Sequence, residues 1–366
     1  MGAIGTLAGR VTSSIPVVRS DAHLAHAGLI ELAGGQPIPC WESPDRALAI
    51  ETALRADGGF VFEAPTEHGR EPILAVHDTD LLDVVEHAWT DVLAAGATDG
   101  SRPLIPDTYL LGAYAGGMAL EGLPASRHLR LGAYLFDTAT PIVAGTWGAA
   151  RAAVDVALST AERVLGGAPL AYGLCRPPGH HAARGMLGGY CYLNNAAIVA
   201  EWLRRQGGAR RVAVLDIDYH HGNGTQQLFW ARGDVLYLSL HADPARAYPY
   251  FSGYASEMGA GEGRGLTRNW PLAAQTGIDG YATALAEALA LVEAFAPDAP
   301  LIISAGFDTF EHDPIGDLAL RTPDYAEIGR LIRALGVPVI ALQEGGYALD
   351  ALGANALALL SGLHGS

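Results

Sequence analysis

The chain is 366 residues long and half hydrophobic, with 46 glycines, 21 prolines, 3 cysteines and a formal net charge of −16 at pH 7. All 23 of its basic residues are arginine, which excludes lysine chemistry: no Schiff base, no pyridoxal anchor and no P-loop lysine for a nucleotide. The 39 acidic residues leave no basic stripe for nucleic acid and suit a cationic ligand instead.

Ser43-Pro44-Asp45 ahead of Arg46–Leu54 predicts a capped helix, and Asp80–Ala95 predicts a second. Gly96 to Gly132 is rich in Gly, Pro and small residues, and it reads as a loop insertion over 96–132. A loop of that size in a compact domain is usually functional or a subunit contact. Thr146–Leu165 has the periodicity of an alanine-rich amphipathic helix. Ala171–Leu174 is a short apolar strand, broken by Arg176-Pro177-Pro178-Gly179, and Asn194–Arg205 is a helix ended by Gly207-Gly208.

Val212–Leu215, Val235–Leu240, Leu301–Ser304 and Val337–Leu342 are continuous apolar runs of strand length, with Pro338 confined to the start of the last. Unbroken apolar runs mark strands covered on both faces. Helices at Tyr281–Phe295, Pro323–Leu335 and Leu349–Leu363 fill the intervals. Strands alternating with helices predict an α/β fold: a three-layer open parallel β-sheet with helices on both faces. Without a repeat or a composition break, the chain reads as a single domain over 1–366.

Cys40, Cys175 and Cys191 are too few and too scattered for a disulfide framework or a zinc ribbon, so structural thiols in a reducing compartment are expected. No run of about 18 uncharged apolar residues offers a membrane span, and no charged leader precedes an apolar stretch. The expected location is cytoplasmic, with no membrane partner.

Open parallel sheets bind ligands beyond the carboxyl ends of their strands, and the polar clusters of this chain follow apolar strands. Asp218 and His220 stand two apart after one strand and predict side chains on the same face. With Asp308 beyond another strand they offer three N/O ligands and an open position, the pattern of a catalytic zinc site. His180 and His181 follow a Pro-Pro-Gly turn. Adjacent imidazoles are costly to bury without partners, so Asp216 is expected to hold one and Asn223 to orient the other. A neutral imidazole beside a metal-activated water is a competent general base. Tyr347, after Gly345-Gly346, is expected to donate to a developing oxyanion.

Taken together, Arg176-Pro177-Pro178-Gly179-His180-His181, the run from Asp216 to Gln226, Gly306-Phe307-Asp308 and Glu344-Gly345-Gly346-Tyr347 resemble the zinc-dependent histone deacetylase superfamily. Gly188 to Tyr192, His241 to Phe251 and Asp308 to Pro314 look most like the bacterial acetylpolyamine amidohydrolases within it. The resemblance implies an arginase/deacetylase-like fold and one Zn2+ per chain on Asp218, His220 and Asp308. It implies His181 as base and then acid, His180 backed by Asp216 as electrostatic support, and Tyr347 polarising the amide carbonyl. It also implies a structural K+ at Asp216, Ser239 and Leu240, and a narrow tunnel lined by Gly189, Tyr190 and Tyr248.

Three positions stand out against the family. Asn223 occupies a place where class I deacetylases carry aspartate. Ile315 occupies the place of the gatekeeper glutamate in the polyamine-specific vertebrate enzyme. The insertion over 96–132 corresponds to a segment that shapes the bacterial channel across a homodimer interface, with Glu121 as a candidate partner for an ammonium. The expected substrate is a small cationic N-acetylated amine. An acetyl-lysine peptide is the alternative, and a two-manganese ureohydrolase or a non-catalytic binding module are remoter ones.

Overall fold

The computed structural model describes residues 14–109, 111, 115, 118 and 122–365. Its strands are β1 (Ile15–Val18), β2 (Ile30–Ala33), β3 (Gln36–Pro39), β4 (Phe60–Glu63), β5 (Leu170–Gly173), β6 (Val212–Asp216), β7 (Val235–Ala242), β8 (Thr267–Leu272), β9 (Leu301–Ala305) and β10 (Val339–Gln343). The longer helices are α1 (Pro44–Asp57), α2 (Thr79–Ala94), α3 (Thr146–Leu165), α4 (Asn195–Arg205), α5 (Asn223–Phe229), α6 (Ile278–Phe295), α7 (Thr322–Arg333) and α8 (Leu349–His364).

An 8-stranded sheet in the order β4-β1-β5-β10-β9-β6-β7-β8 runs through the molecule, and every neighbouring pair is parallel. The apolar runs of its central strands divide residue by residue between two cores. Leu215, Leu238, Ile303 and Ala341 point to one side, where Ile50 of α1, Leu285 of α6, Ile328 of α7 and Leu359 of α8 cover them. Val214, Tyr237, Ile302 and Leu342 point to the other, against Leu81 of α2, Leu158 of α3 and Ile198 of α4. This is the expected three-layer architecture, and it explains why the strand sequences show no polar alternation.

Three strands of the sheet were not expected. β4 and β8 are its edges, and β8 carries Arg268 and Pro271, which an edge strand tolerates. β1 contains Pro16 and meets β5 only through Val17 and Val18. The helix limits differ by a few residues from the periodicity: α6 begins at Ile278 and α7 ends at Arg333.

A separate hairpin joins β2 to β3, with Ala33 opposite Gln36 across Gly34-Gly35. Both glycines have positive φ, 57° and 77°. Two such residues make the tight turn that matches the twist of paired strands. Within the expected insertion, the described residues include a short helix at Arg127–Arg130 and a bridge from Leu104 to Ile142. Glu121 lies outside the described residues. All three cysteines are buried and free, and no helix among the described residues is long and apolar enough to cross a membrane.

Candidate active site

β5, β10, β9 and β6 are consecutive in the sheet, so their carboxyl ends deliver the polar clusters to one rim. β6 stops at Asp216, and Asp218, Tyr219 and His220 form the turn beyond it. The pairing of Asp218 with His220 therefore comes from the turn and not from strand alternation. Asp218 Oδ1 accepts from the backbone N–H of His220 at 2.9 Å, and Asp218 Oδ2 accepts from Gly345 N–H at 2.8 Å. Asp308 Oδ1 accepts from Tyr219 N–H at 2.9 Å. These backbone bonds aim both carboxylates at His220, whose Nδ1 lies 2.9 Å from Asp308 Oδ2 and 3.4 Å from Asp218 Oδ1.

One ligand atom from each of Asp218, His220 and Asp308 lies within 4.8 Å of the others. Two neighbouring glycines permit that convergence. A Cβ on Gly306 would stand 2.0 Å from Asp218 Oδ2, and one on Gly345 would stand 2.4 Å from Asp308 Oδ2. Burial pushes the Asp308 carboxyl up to about 7, helped by the charge of Asp218. Burial works against a charged His220, but its bonds to Asp218 and Asp308 outweigh it and push that imidazole up to about 9. Two buried carboxylates crowded on one imidazole form a site that a divalent cation would neutralise, and three N/O donors leave a position open.

Next to this triad, His180 Nδ1 bonds to Asp216 Oδ2 at 3.1 Å. Burial disfavours its charge, yet Asp218 and Asp216 overcome that and raise His180 to about 10. His181 moves the opposite way. Burial, then the charges of His180 and His220, hold it well below the usual histidine range. Its Nδ1 lies 2.7 Å from Asn223 Oδ1, an acceptor, so Nδ1 carries the hydrogen and Nε2 keeps its lone pair. The tandem histidines thus shift in opposite directions, His180 upwards through Asp218 and Asp216 and His181 downwards through burial and the charges of His180 and His220.

Tyr347 is 7 % exposed. Its backbone N–H donates to Asp313 Oδ2 at 2.7 Å, and the Arg46 guanidinium lies 4.6 Å from its ring centroid. Arg46 also donates to the carbonyls of Gly346, at 2.7 Å, and Glu344, at 2.5 Å, while pairing with Glu42 at 2.9 Å. Burial pushes the Tyr347 phenol well above its ordinary value, so it remains a proton donor. Glu344 Oε2 accepts from Gly179 N–H at 2.7 Å and His180 N–H at 3.2 Å, fixing the turn that carries the histidines.

A cavity of about 300 Å³ opens onto these groups, with His181, His220 and Tyr347 in its lining. Gly189, Tyr190, Tyr248 and Ile315 all line it, together with Glu31, Ala139 and Tyr250. Glu31 was not anticipated from the sequence. The β2–β3 hairpin carries it to the wall, where Tyr190 Oη donates to its Oε2 at 2.7 Å. The Gly34-Gly35 pair between two short apolar stretches was the signal available. Arg46, Glu42, Asp313 and Asp137 were missed as well. Of the residues expected to hold a monovalent ion, Asp216 and Ser239 face each other across β6 and β7, with Leu240 next along β7. The Ser239 hydroxyl lies 2.7 Å from His241 Nδ1.

The histone deacetylase domain family matches residues 40–363. Acetylpolyamine amidohydrolase 1 of Pseudomonas aeruginosa is 45% identical over 350 residues, spanning 95% of this chain and 99% of that protein. The acetylpolyamine amidohydrolase of Mycoplana ramosa is 40% identical over 349 residues, spanning 95% and 99%. A crystal structure of acetylpolyamine aminohydrolase from Burkholderia pseudomallei superposes with a TM-score of 0.87 at 36% identity, covering 95% of this chain and 98% of that one.

Proposed function

This chain belongs to the histone deacetylase family, and from that premise we propose that it releases acetate from small acetylpolyamines with one zinc ion per chain. It is an amide hydrolase of acetylated amines. The observation that carries the finer reading is a single cavity lined by His181, His220 and Tyr347 and, on its wall, by the carboxylate of Glu31. His220, which would be a metal ligand, and Glu31, an acid for a cationic tail, both line it.

A zinc ion on Asp218, His220 and Asp308 would supply Lewis acidity for the acyl oxygen and for water. Every other part is performed by the chain. His181 Nε2, unprotonated, takes a proton from the attacking water and returns it to the departing amine nitrogen. Tyr347 donates its phenol hydrogen to the acyl oxygen as negative charge gathers there. His180, bonded to Asp216 and packed 4.0 Å between ring centroids from His181, gives electrostatic support beside the forming oxyanion. The bond broken is the amide C–N bond, and the products are acetate and a free amine.

Tyr190 and Tyr248 would flank the alkyl chain, and Glu31 would meet its distal ammonium. Ile315 brings no charge, so Glu31 takes the part that a gatekeeper acid has elsewhere. We further propose a potassium ion at Asp216, Ser239 and Leu240, a homodimer that uses the segment 96–132, and a single domain. The buried free thiols support a cytoplasmic location. Comparison of kcat/KM for N-acetylputrescine, N8-acetylspermidine and an acetyl-lysine peptide tests the substrate class, and a clear preference for the peptide overturns it.

A further inference from the structure

The walls of the cavity are tied together by a carboxylate that does not line it. Asp137 Oδ2 accepts from Gly189 N–H at 2.7 Å and from the Tyr248 hydroxyl at 2.5 Å. Its Oδ1 accepts from Ala139 N–H at 3.0 Å and, more weakly, from the Thr140 hydroxyl at 3.4 Å. Thr140 Oγ1 in turn accepts from Tyr190 N–H at 3.2 Å. Gly189 and Tyr190 are consecutive left-handed residues, with φ of 54° and 67°. A residue with a Cβ does not hold that conformation without support, and here the support is the pair of acceptors on their backbone N–H groups.

Both donors to Asp137 Oδ2 also touch the His181 imidazole. A Cβ on Gly189 would stand 2.3 Å from His181 Cδ2, so the glycine backbone lies flush with the ring edge. The Tyr248 ring meets His181 edge-on, with centroids 5.1 Å apart at 88°. Asn223 fixes the Nδ1 corner of the same ring. A phenylalanine at 248 would fill the same space, so the phenol hydroxyl has one visible purpose, its bond to Asp137.

We propose that Asp137 is a positioning residue, which clamps the Gly189–Tyr190 wall and the Tyr248 wall onto His181. The clamp sets both the alignment of that base and the narrowness that favours an unbranched acyl chain. It rests on the deacetylase reading, because the two walls matter only if an acylamine passes between them. Asp137 accepts from donors through both oxygens, a task no neutral amide can perform. Asp137→Asn keeps the size but must turn its NH2 group towards a backbone N–H, that of Gly189 or that of Ala139, so the clamp loosens without a cavity being created.

The test uses the full-length, metal-loaded protein and its Asp137→Asn and Tyr248→Phe variants, with N-acetylputrescine and N-isobutyrylputrescine as substrates. Asp137→Asn is expected to lower kcat on the acetyl substrate by about 10-fold or more, the scale of a misaligned reacting group. KM should change far less. The acetyl-to-isobutyryl ratio of kcat/KM should fall in both variants, more in Asp137→Asn. That ratio does not depend on the fraction of active protein, so a merely structural role leaves it unchanged. An unchanged ratio, with or without a loss of kcat, overturns the proposal while wild type still turns over the acetyl substrate. Wild-type protein inactive on both amides overturns the deacetylase reading and the proposal with it.

Discussion

Replacing Tyr347 by phenylalanine isolates the hydroxyl from everything else the residue does. The ring would keep its contacts with Arg46, 4.6 Å away, and with Tyr190, 5.9 Å between centroids. The backbone would stay anchored to Asp313 and, through Gly346, to Arg46. Among the described residues the phenol oxygen has no hydrogen-bond partner, so its removal leaves no protein group unsatisfied and the fold should be as stable as before. What disappears is one donor to the acyl oxygen. Loss of such a donor costs about 3–4 kcal/mol in the transition state, about 100- to 1,000-fold in kcat. KM should change little, because the contacts with the unreacted amide are retained. Acetate release from saturating N-acetylputrescine, read together with a thermal melt, checks this. Wild-type turnover in Tyr347→Phe would refute the assigned role. A melting point lowered in step with activity would refute the claim that only the hydroxyl matters.

Glu31→Gln should reduce kcat/KM for N-acetylputrescine by about 10-fold and leave neutral N-butylacetamide within about 2-fold, since a single partly screened charge contact is removed. Equal losses on both substrates would show that Glu31 merely braces Tyr190. Arg46→Met should destabilise the protein by about 3–5 kcal/mol, measured by urea unfolding, because it leaves Glu42 buried with one arginine fewer. An unfolding midpoint within error of wild type would sink that reading. His68 lies 3.1 Å from Glu162 and 3.6 Å from Asp155. Burial opposes its charge, but the two carboxylates outweigh it and raise its pKa. A raised histidine pKa stabilises the fold fully below the unfolded value of about 6.5, and the benefit fades as pH rises through the folded value. The stability advantage over His68→Gln should therefore be larger at acid pH than at alkaline pH; a difference that grows with pH would contradict it.

The central strands were legible because both of their faces are buried. Val212–Leu215 and Leu301–Ser304 are apolar at nearly every position, and hydrophobicity alone locates such strands. β4 and β8 were not, since an edge strand may carry Arg268 or Pro271 without penalty and so lacks the signal. The residues proposed as ligands and base could be picked out for a related reason. They sit within a few residues of strand ends, so local sequence places them on the rim.

What surrounds them was hidden by distance along the chain. Arg46 supports Tyr347 through the Gly346 carbonyl, which it reaches across 300 positions. Asp137 reaches Tyr248 across 111 positions, and Tyr190 reaches Glu31 across 159. No periodicity or motif encodes such pairs; only the packing of the layers creates them. The expected reason for pairing Asp218 with His220 also changed, from strand alternation to a turn held by backbone N–H groups.

The central claim is that one cavity combines metal-assisted amide cleavage with a preference for a cationic tail. Its most direct test is the product balance of the purified protein, loaded with zinc and counted for metal, acting on N-acetylputrescine. About one zinc per chain is expected, with catalytic release of acetate and putrescine in equal amounts, abolished by Asp308→Ala. Full zinc occupancy without acetate release, or release that survives Asp308→Ala, would contradict it.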